Sequence, residues 1–272
     1  WAYVRRGAYF KRKIRFDIMR VVLILQYHGK DFCGWQIQPG LRSVQQTVEE
    51  AVEKLTGKRS SVIASGRTDS GVHALCQVAH FDTDFASIPA EKYSFALNII
   101  LPPDVKVLKS FMAPPDFHAR YSAKKKTYRY SFYVADCTLP LYDDRALQIY
   151  KTDVEKMRRA AKHIVGEHDF RCFLAADSDV ESTVRTVYSC DVEAHGRFID
   201  VTVCGNGFLY NMVRTIAGTL YFAGIGKFEP DYVKTIIEKR DRELAGKTLA
   251  AKGLCLVGVE YKEFNAADFF KG

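Results

Sequence analysis

The stretch Ser65-Gly66-Arg67-Thr68-Asp69-Ser70-Gly71-Val72-His73-Ala74 decides how this chain of 272 residues is read. Residues 61–65 before it form a short extended run and residues 75–81 after it form another, so the decapeptide becomes a loop between two strands. Gly66 and Gly71 let the backbone turn at either end. Between them stand a cation, a hydroxyl and a carboxylate on scaffolded backbone, where chemistry is commonly placed. An arginine two residues ahead of Asp69 favours the ionised carboxylate and fixes its direction. An ionised aspartate suits a nucleophile or a base. The alternative is a plain turn in which Asp69 bonds its own backbone.

Outward from the loop, residues 19–27 are an apolar, β-rich run that predicts a central strand. Ser43 opens a helix with Gln46 as the other half of a capping box. Val44, Val48, Ala51, Val52 and Leu55 make its apolar stripe, and Gly57 closes it. Pro89 starts a second helix to about residue 100, and 105–111 is a further strand, so the order is βαββαβ. The second half runs similarly. Residues 125–134 are a strand, and Thr152 with Glu155 caps a helix striped by Met157, Ala160, Ala161 and Ile164 and ended by Gly166. A hairpin follows over 184–193 and 198–204, then helices over 209–222 and 232–239, then a closing strand over 254–261. The expected fold class is α+β, with two ferredoxin-like, RRM-like βαββαβ halves whose antiparallel sheets meet at a central cleft and are joined to each other. The expected domains are 19–116, carrying the loop, and 117–264. Residues 1–18 read as a basic extension outside the fold, with Met19 as the natural start, and 265–272 as a tail.

Composition is that of an ordinary globular chain, 47% hydrophobic and 26% charged. The net charge of +8 is unevenly placed: residues 1–18 carry +5, which leaves the body only +3. Nucleic-acid binding must therefore be argued from clustering rather than from overall charge. Seven scattered cysteines without a Cys-x-x-Cys pair point to reduced thiols in a cytoplasm, and away from a disulfide framework or a zinc knuckle. The run His163-x-x-x-Glu167-His168 misses the His-x-x-Glu-His pattern by one residue and straddles Gly166. Gly205-x-Gly207 lacks the third glycine of a dinucleotide loop. His73 and His118 stand alone, with structural roles as the default. The sequence implies no metal and no cofactor.

The clearest candidate for contact with RNA is 118–130, which holds Arg120, Lys124, Lys125, Lys126 and Arg129 with no acid, interleaved with Tyr121, Tyr128 and Tyr130. Cations hold phosphates and aromatic rings stack on unpaired bases. A solvated strand edge is the alternative. Alternation puts Lys126 and Tyr130 on the face of Tyr128, and Lys125 and Arg129 on the other. Phe32 reads as core, Trp35 as either core or a stacking platform, and Arg42 with Gln45 as possible anion contacts at a helix start. The apolar run 208–226 contains Arg214, with Asn206 and Asn211 nearby, which makes a membrane span costly and a buried helix the better reading.

The string SGRTDSGVHA resembles the signature of the tRNA pseudouridine synthase A family, which usually reads GRTDAGVHA; Ser70 stands where alanine is common. Further segments fall in the family's order, among them Gly34-Trp35-Gln36, Phe117-His118-Ala119-Arg120-Tyr121, Lys126-Thr127-Tyr128-Arg129-Tyr130, Phe208-Leu209-Tyr210-Asn211-Met212-Val213-Arg214 and Gly253-Leu254. The resemblance spans roughly 19–261. It implies a cofactor-free isomerase that converts uridine to pseudouridine at positions 38, 39 and 40 of the tRNA anticodon stem-loop. In that reading Asp69 is the essential carboxylate, Arg67 fills the space of the extruded base, Arg214 pairs with Asp69, and Tyr128 packs on the target base. Lys126 and Arg120 join them as substrate-binding residues, and the partners are tRNA and a second copy of the chain, with no membrane. A binding module without catalysis and a protein-interaction domain are the competing classes.

Overall fold

The side chains from Val21 to Leu25 are fully shielded from solvent, the pattern of a strand covered on both faces. In the computed structural model, which describes residues 18–175 and 180–270, they form the middle of β1 (Met19–Tyr27). Removing such side chains from water stabilises a fold by about 1.5–3 kcal/mol each. Strand β1 pairs antiparallel with β3 (His73–Thr83) and β4 (Val105–Ala113), and the short β2 (Ile63–Ala64) pairs with β3. Between β1 and β2 runs α1 (Val44–Thr56), capped by Ser43 and closed by Gly57 in the left-handed conformation. Ser43 accepts from the Gln46 N–H, but the Gln46 side chain reaches Glu50 instead of returning to the cap, so only half of the capping box forms. Pro89 opens a single 3-10 turn, Ala90–Lys92, before α2 (Tyr93–Ile100).

The second unit repeats the plan with β5 (Lys125–Val134), α3 (Val154–Ala161), β8 (Val184–His195), β9 (Phe198–Gly205), α4 (Met212–Gly224), α5 (Tyr232–Lys239) and β10 (Leu254–Glu260). Two short strands are additions: β6 (Leu147–Ile149) lies parallel to β5, and β7 (Gly166–Asp169) borders β8. Each is too short to show alternation in the sequence. Helix α3 is capped by Asp153, whose Oδ1 accepts from the N–H groups of Glu155 and Lys156, not by Thr152, whose hydroxyl turns to Met157 Sδ. A carboxylate suits the positive end of a helix better than a hydroxyl does. Gly166 does not end that helix; a 3-10 turn over Lys162–Ile164 does, and Gly166 opens β7.

The strand order is β4-β1-β3 with β2 on β3, and β10-β5-β9-β8, so both units have the ferredoxin-like arrangement. The two sheets are joined into one. Strand β10 runs parallel to β3 through Cys255 opposite His73 and Leu256 opposite Ala74, which closes a mostly antiparallel sheet of ten strands. Helix α4 begins at Met212, later than its apolar run suggests, and buries Met212, Val213, Ile216, Ala217 and Leu220 against the sheet. Among the described residues no helix is long and apolar enough to cross a membrane. Residues 1–17 of the basic extension lie outside the described residues. Near the C-terminus, Ala266–Phe269 form a 3-10 turn whose Phe269 ring stands 6.1 Å from that of Phe111.

Candidate active site

The β2–β3 loop is held by a neighbouring segment that approaches its backbone directly. The Trp35 N–H donates to the Thr68 carbonyl at 3.0 Å, and the Gly71 N–H donates to the Phe32 carbonyl at 3.2 Å. A side chain at Gly34 would collide with the Thr68 carbonyl at 2.6 Å, and Gly34 also has a φ of +89°, so only glycine fits there. Gly71 turns the chain at a φ of +78° after the Val72 N–H has bonded the Asp69 carbonyl. Below the loop lies a buried polar chain. Ser65 Oγ donates to Gln77 Oε1 at 2.6 Å; Gln77 Nε2 donates to the Gly66 carbonyl at 3.0 Å and to the Tyr27 hydroxyl at 3.4 Å; that hydroxyl meets Thr68 Oγ1 at 2.8 Å. Four side chains thus fix the ends of one loop, and each buried polar group has a partner.

Asp69 emerges from this support into a cleft of about 1080 Å³ at the seam of the two units. Arg214, on the first turn of α4, places Nη1 3.9 Å from Asp69 Oδ2. Burial lifts the Asp69 carboxyl above the ordinary carboxylate range, and the charge of Arg214 opposes that rise. The local expectation that Arg67 holds Asp69 ionised is corrected: Arg67 is exposed on the cleft wall, and the opposing charge comes from Arg214.

Tyr128, Lys126 and Arg120 line the same cleft. Tyr128 is buried between Val203 of β9 and Leu256 of β10, with its ring edge-on to Phe208 at 5.3 Å, and burial pushes its phenol pKa upward. Burial lowers Lys126 to about 8, with help from the charge of Arg120. Its Nζ lies 3.2 Å from where a side chain at Gly66 would begin. Alternation along β5 holds: Lys125 pairs with Glu260 at 3.1 Å and Arg129 faces Asp200 at 3.9 Å on the opposite side. The basic run therefore divides into ion pairs on one face of an interior strand and cleft cations on the other.

Several other residues find structural roles. Trp35 is buried beside Tyr27. Arg42 spends its fork on Asp104 at 2.7 and 3.0 Å while lying over the Phe32 ring, so it is no free anion contact. His73 accepts from the Gly29 N–H at Nδ1, which leaves Nε2 to donate to the Lys252 carbonyl at 3.1 Å. Burial holds it down to about 4, so this hydrogen-bonding pattern suits a neutral ring. His118 accepts the N–H groups of Arg120 and Tyr121 at Nδ1. Sequence reasoning missed Gln77 and Arg185. Arg185 lines the cleft from the start of β8 and bonds only the carbonyls of Ser182 and Val184.

Among the described residues lining the cleft, Asp69 is the one carboxylate, set among Arg67, Arg120, Lys126 and Arg185 with Tyr128, Phe208 and Tyr210. A half-buried acid in a cleft that carries cations and aromatic rings, on a doubled ferredoxin-like sheet, suits an enzyme acting on a polyanion. The family described as tRNA pseudouridine synthase matches residues 23–122 and 160–262, and the chain belongs to that family of isomerases. It is 47% identical over 246 residues to the tRNA pseudouridine synthase A of Bacillus subtilis strain 168, covering 89% of this chain and 99% of that one. The enzyme of the same name from Caldicellulosiruptor bescii is 45% identical over 242 residues, again with 89% and 99% covered. A chain in the solved structure entitled Crystal Structure of a Cbf5-Nop10-Gar1 Complex overlaps at a TM-score of 0.34 and 15% identity, over 86% of this chain and 70% of that one, a likeness too slight to carry weight.

Proposed function

We propose that this protein converts uridine to pseudouridine at positions 38, 39 and 40 of the tRNA anticodon stem-loop, with Asp69 as the essential carboxylate and no cofactor. The observation that carries this is Asp69, faced by Arg214, as the one carboxylate among the described residues of a cleft whose other charged lining residues are all cations and whose wall includes aromatic rings. The N-glycosidic bond breaks, the base turns, and a carbon bond forms from the sugar to carbon 5. Carbon 5 gives up its hydrogen and nitrogen 1 gains one, so the product is an isomer and atoms balance.

A base in a stem must leave its stack to be reached. Arg67, exposed at the cleft wall, fills the space it vacates and meets backbone phosphate. Tyr128 packs on the extruded base, while Arg120 and Lys126 hold flanking phosphates. Units 19–116 and 117–264 act as the two walls of the site. A homodimer belongs to this reading, because a body of only +3 gains a wide basic surface by pairing. So does a cytoplasmic location, which fits the scattered cysteines. Position mapping tests the assignment. Transcripts carrying uridine at only 38, 39 or 40 should each gain one pseudouridine, whereas modification confined to another arm of the tRNA would refute it.

A further inference from the structure

Helix α4 starts in an unusual way. Its N-cap, Asn211, has a φ of +61°, where a cap residue normally takes an extended conformation. Among the described residues only Asn211 and Arg240 combine a side chain with a positive φ. Arg240 sits at the C-cap of α5, where the left-handed conformation is ordinary. Asn211 has no such reason. Nor does its side chain cap the helix, although Ser43, Asp153, Asp169, Asp241 and Asn265 all cap theirs. Its backbone carbonyl takes the Thr215 N–H at 3.0 Å, and its side chain is turned to another task.

That task is Arg214. Nη1 of Arg214 donates to Asn211 Oδ1 at 2.5 Å, and Nε donates to the Leu249 carbonyl at 2.7 Å. A guanidinium only donates, so the amide must present its oxygen, which fixes how the Asn211 side chain points. The nitrogen bound to Asn211 is the same one that stops 3.9 Å from Asp69 Oδ2, beyond hydrogen-bond reach. The guanidinium is therefore clamped on two sides and kept off the carboxylate it faces.

We infer that Asn211 is a positioning residue that holds Arg214 at a stand-off from Asp69, so that the carboxylate is steadied by a charge without being tied into a closed ion pair. The inference rests on Asp69 being the essential group. A carboxylate in a close, bidentate pair with arginine has its lone pairs engaged and is a poorer nucleophile or base. One with no cation near it in a buried site favours the protonated form. The left-handed backbone at 211 is what brings a short amide side chain to Nη1, and asparagine tolerates that conformation better than most residues. The charged and titratable groups that share the cleft with Asp69 are Arg214 from α4, Tyr128 and Lys126 from β5, Arg185 from β8, Arg67 in its own loop, and Arg120, Tyr210 and Cys33 on the cleft wall, with Tyr27 of β1 behind Thr68.

Two substitutions that both accept a positive φ pull Asp69 in opposite directions. Asn211→Gly removes the acceptor, frees Nη1 to close on Asp69, and should lower the titration midpoint of Asp69. Asn211→Asp gives Arg214 a competing carboxylate and sets a second negative charge nearby, and should raise it. Shifts of about one pH unit are expected. The midpoint is read by carbon-13 NMR of aspartate-labelled full-length protein, with Asp69→Asn supplying the assignment, so the reading needs no activity. Opposite shifts, with tritium release from carbon-5-labelled tRNA falling about tenfold in each variant, support the stand-off. Shifts of the same sign, or none in either folded variant, overturn it. Failure of the functional reading would show separately, as no tritium release by the wild-type protein.

Discussion

The β2–β3 and β8–β9 connections occupy equivalent places in two units of the same topology, yet they differ in everything that matters for chemistry. The second is a tight turn at Gly196 and Arg197, open to solvent, where a side chain on the glycine would touch nothing. The first spans residues 65–72, is clamped by Gly34, Trp35 and Phe32, and is underpinned by Ser65, Gln77, Tyr27 and Thr68. The comparison teaches that the repeated fold supplies a frame, and that the candidate site sits on the longer of the two loops, with its acid half-buried at the seam. The second unit contributes by other means: Tyr128 from β5 and Arg214 from α4.

Among substitutions that spare Asp69 itself, the largest effect should come from breaking the charge that reaches across the seam. Arg214→Ala leaves the half-buried Asp69 without the cation that faces it most closely, so single-turnover rate should fall by about 10²–10³. The acidic limb of its pH profile should also move to higher pH, because the charge that lowers the Asp69 pKa is gone. In the proposed role of Arg67, filling the vacated space and meeting phosphate, Arg67→Ala should reduce turnover by about 10² and weaken tRNA binding by no more than about one phosphate contact. Retained wild-type turnover would remove it from the site.

Lys126→Met should weaken tRNA binding and reduce the salt dependence of log Kd by about one phosphate contact. Acid stability offers a gentler contrast. His73 and His80 are both held down to about 4 from 6.5, so the unfolded chain binds more protons between those values. Stability should fall as pH drops from 6.5 towards 4, read as a declining urea midpoint, and His73→Asn should flatten the decline. The smallest effect belongs to the other loop: replacing Gly196-Arg197 with Asn-Gly should change stability by less than about 0.5 kcal/mol and leave turnover unaltered.

Much of this was legible in the sequence, and the limits have physical causes. Strand β5, α5 and the loop itself were readable because each carries its own local period or punctuation. That the two sheets join was expected, but not which strands join them, because the pairing of β10 with β3 leaves no mark on either strand alone. Asp69 could be picked out locally, but its charge partner could not: the nearby Arg67 was the obvious choice, and the tertiary fold brings Arg214 instead. Gln77 gave a usable signal, a single amide inside the apolar run of β3, where a fully buried polar side chain needs a dedicated partner. Arg42 gave a misleading one, since a cation at a helix start suggests an anion from outside, and Asp104 already provides it.

The most direct test incubates tRNA bearing tritium at carbon 5 of uridine with wild-type protein and with Asp69→Asn. Rejoining at carbon 5 must send that tritium to water. The account predicts release by the wild type and a loss of about 10⁴-fold or more in the variant, with tRNA binding preserved. Equal release from both proteins would contradict it and place the essential carboxylate elsewhere.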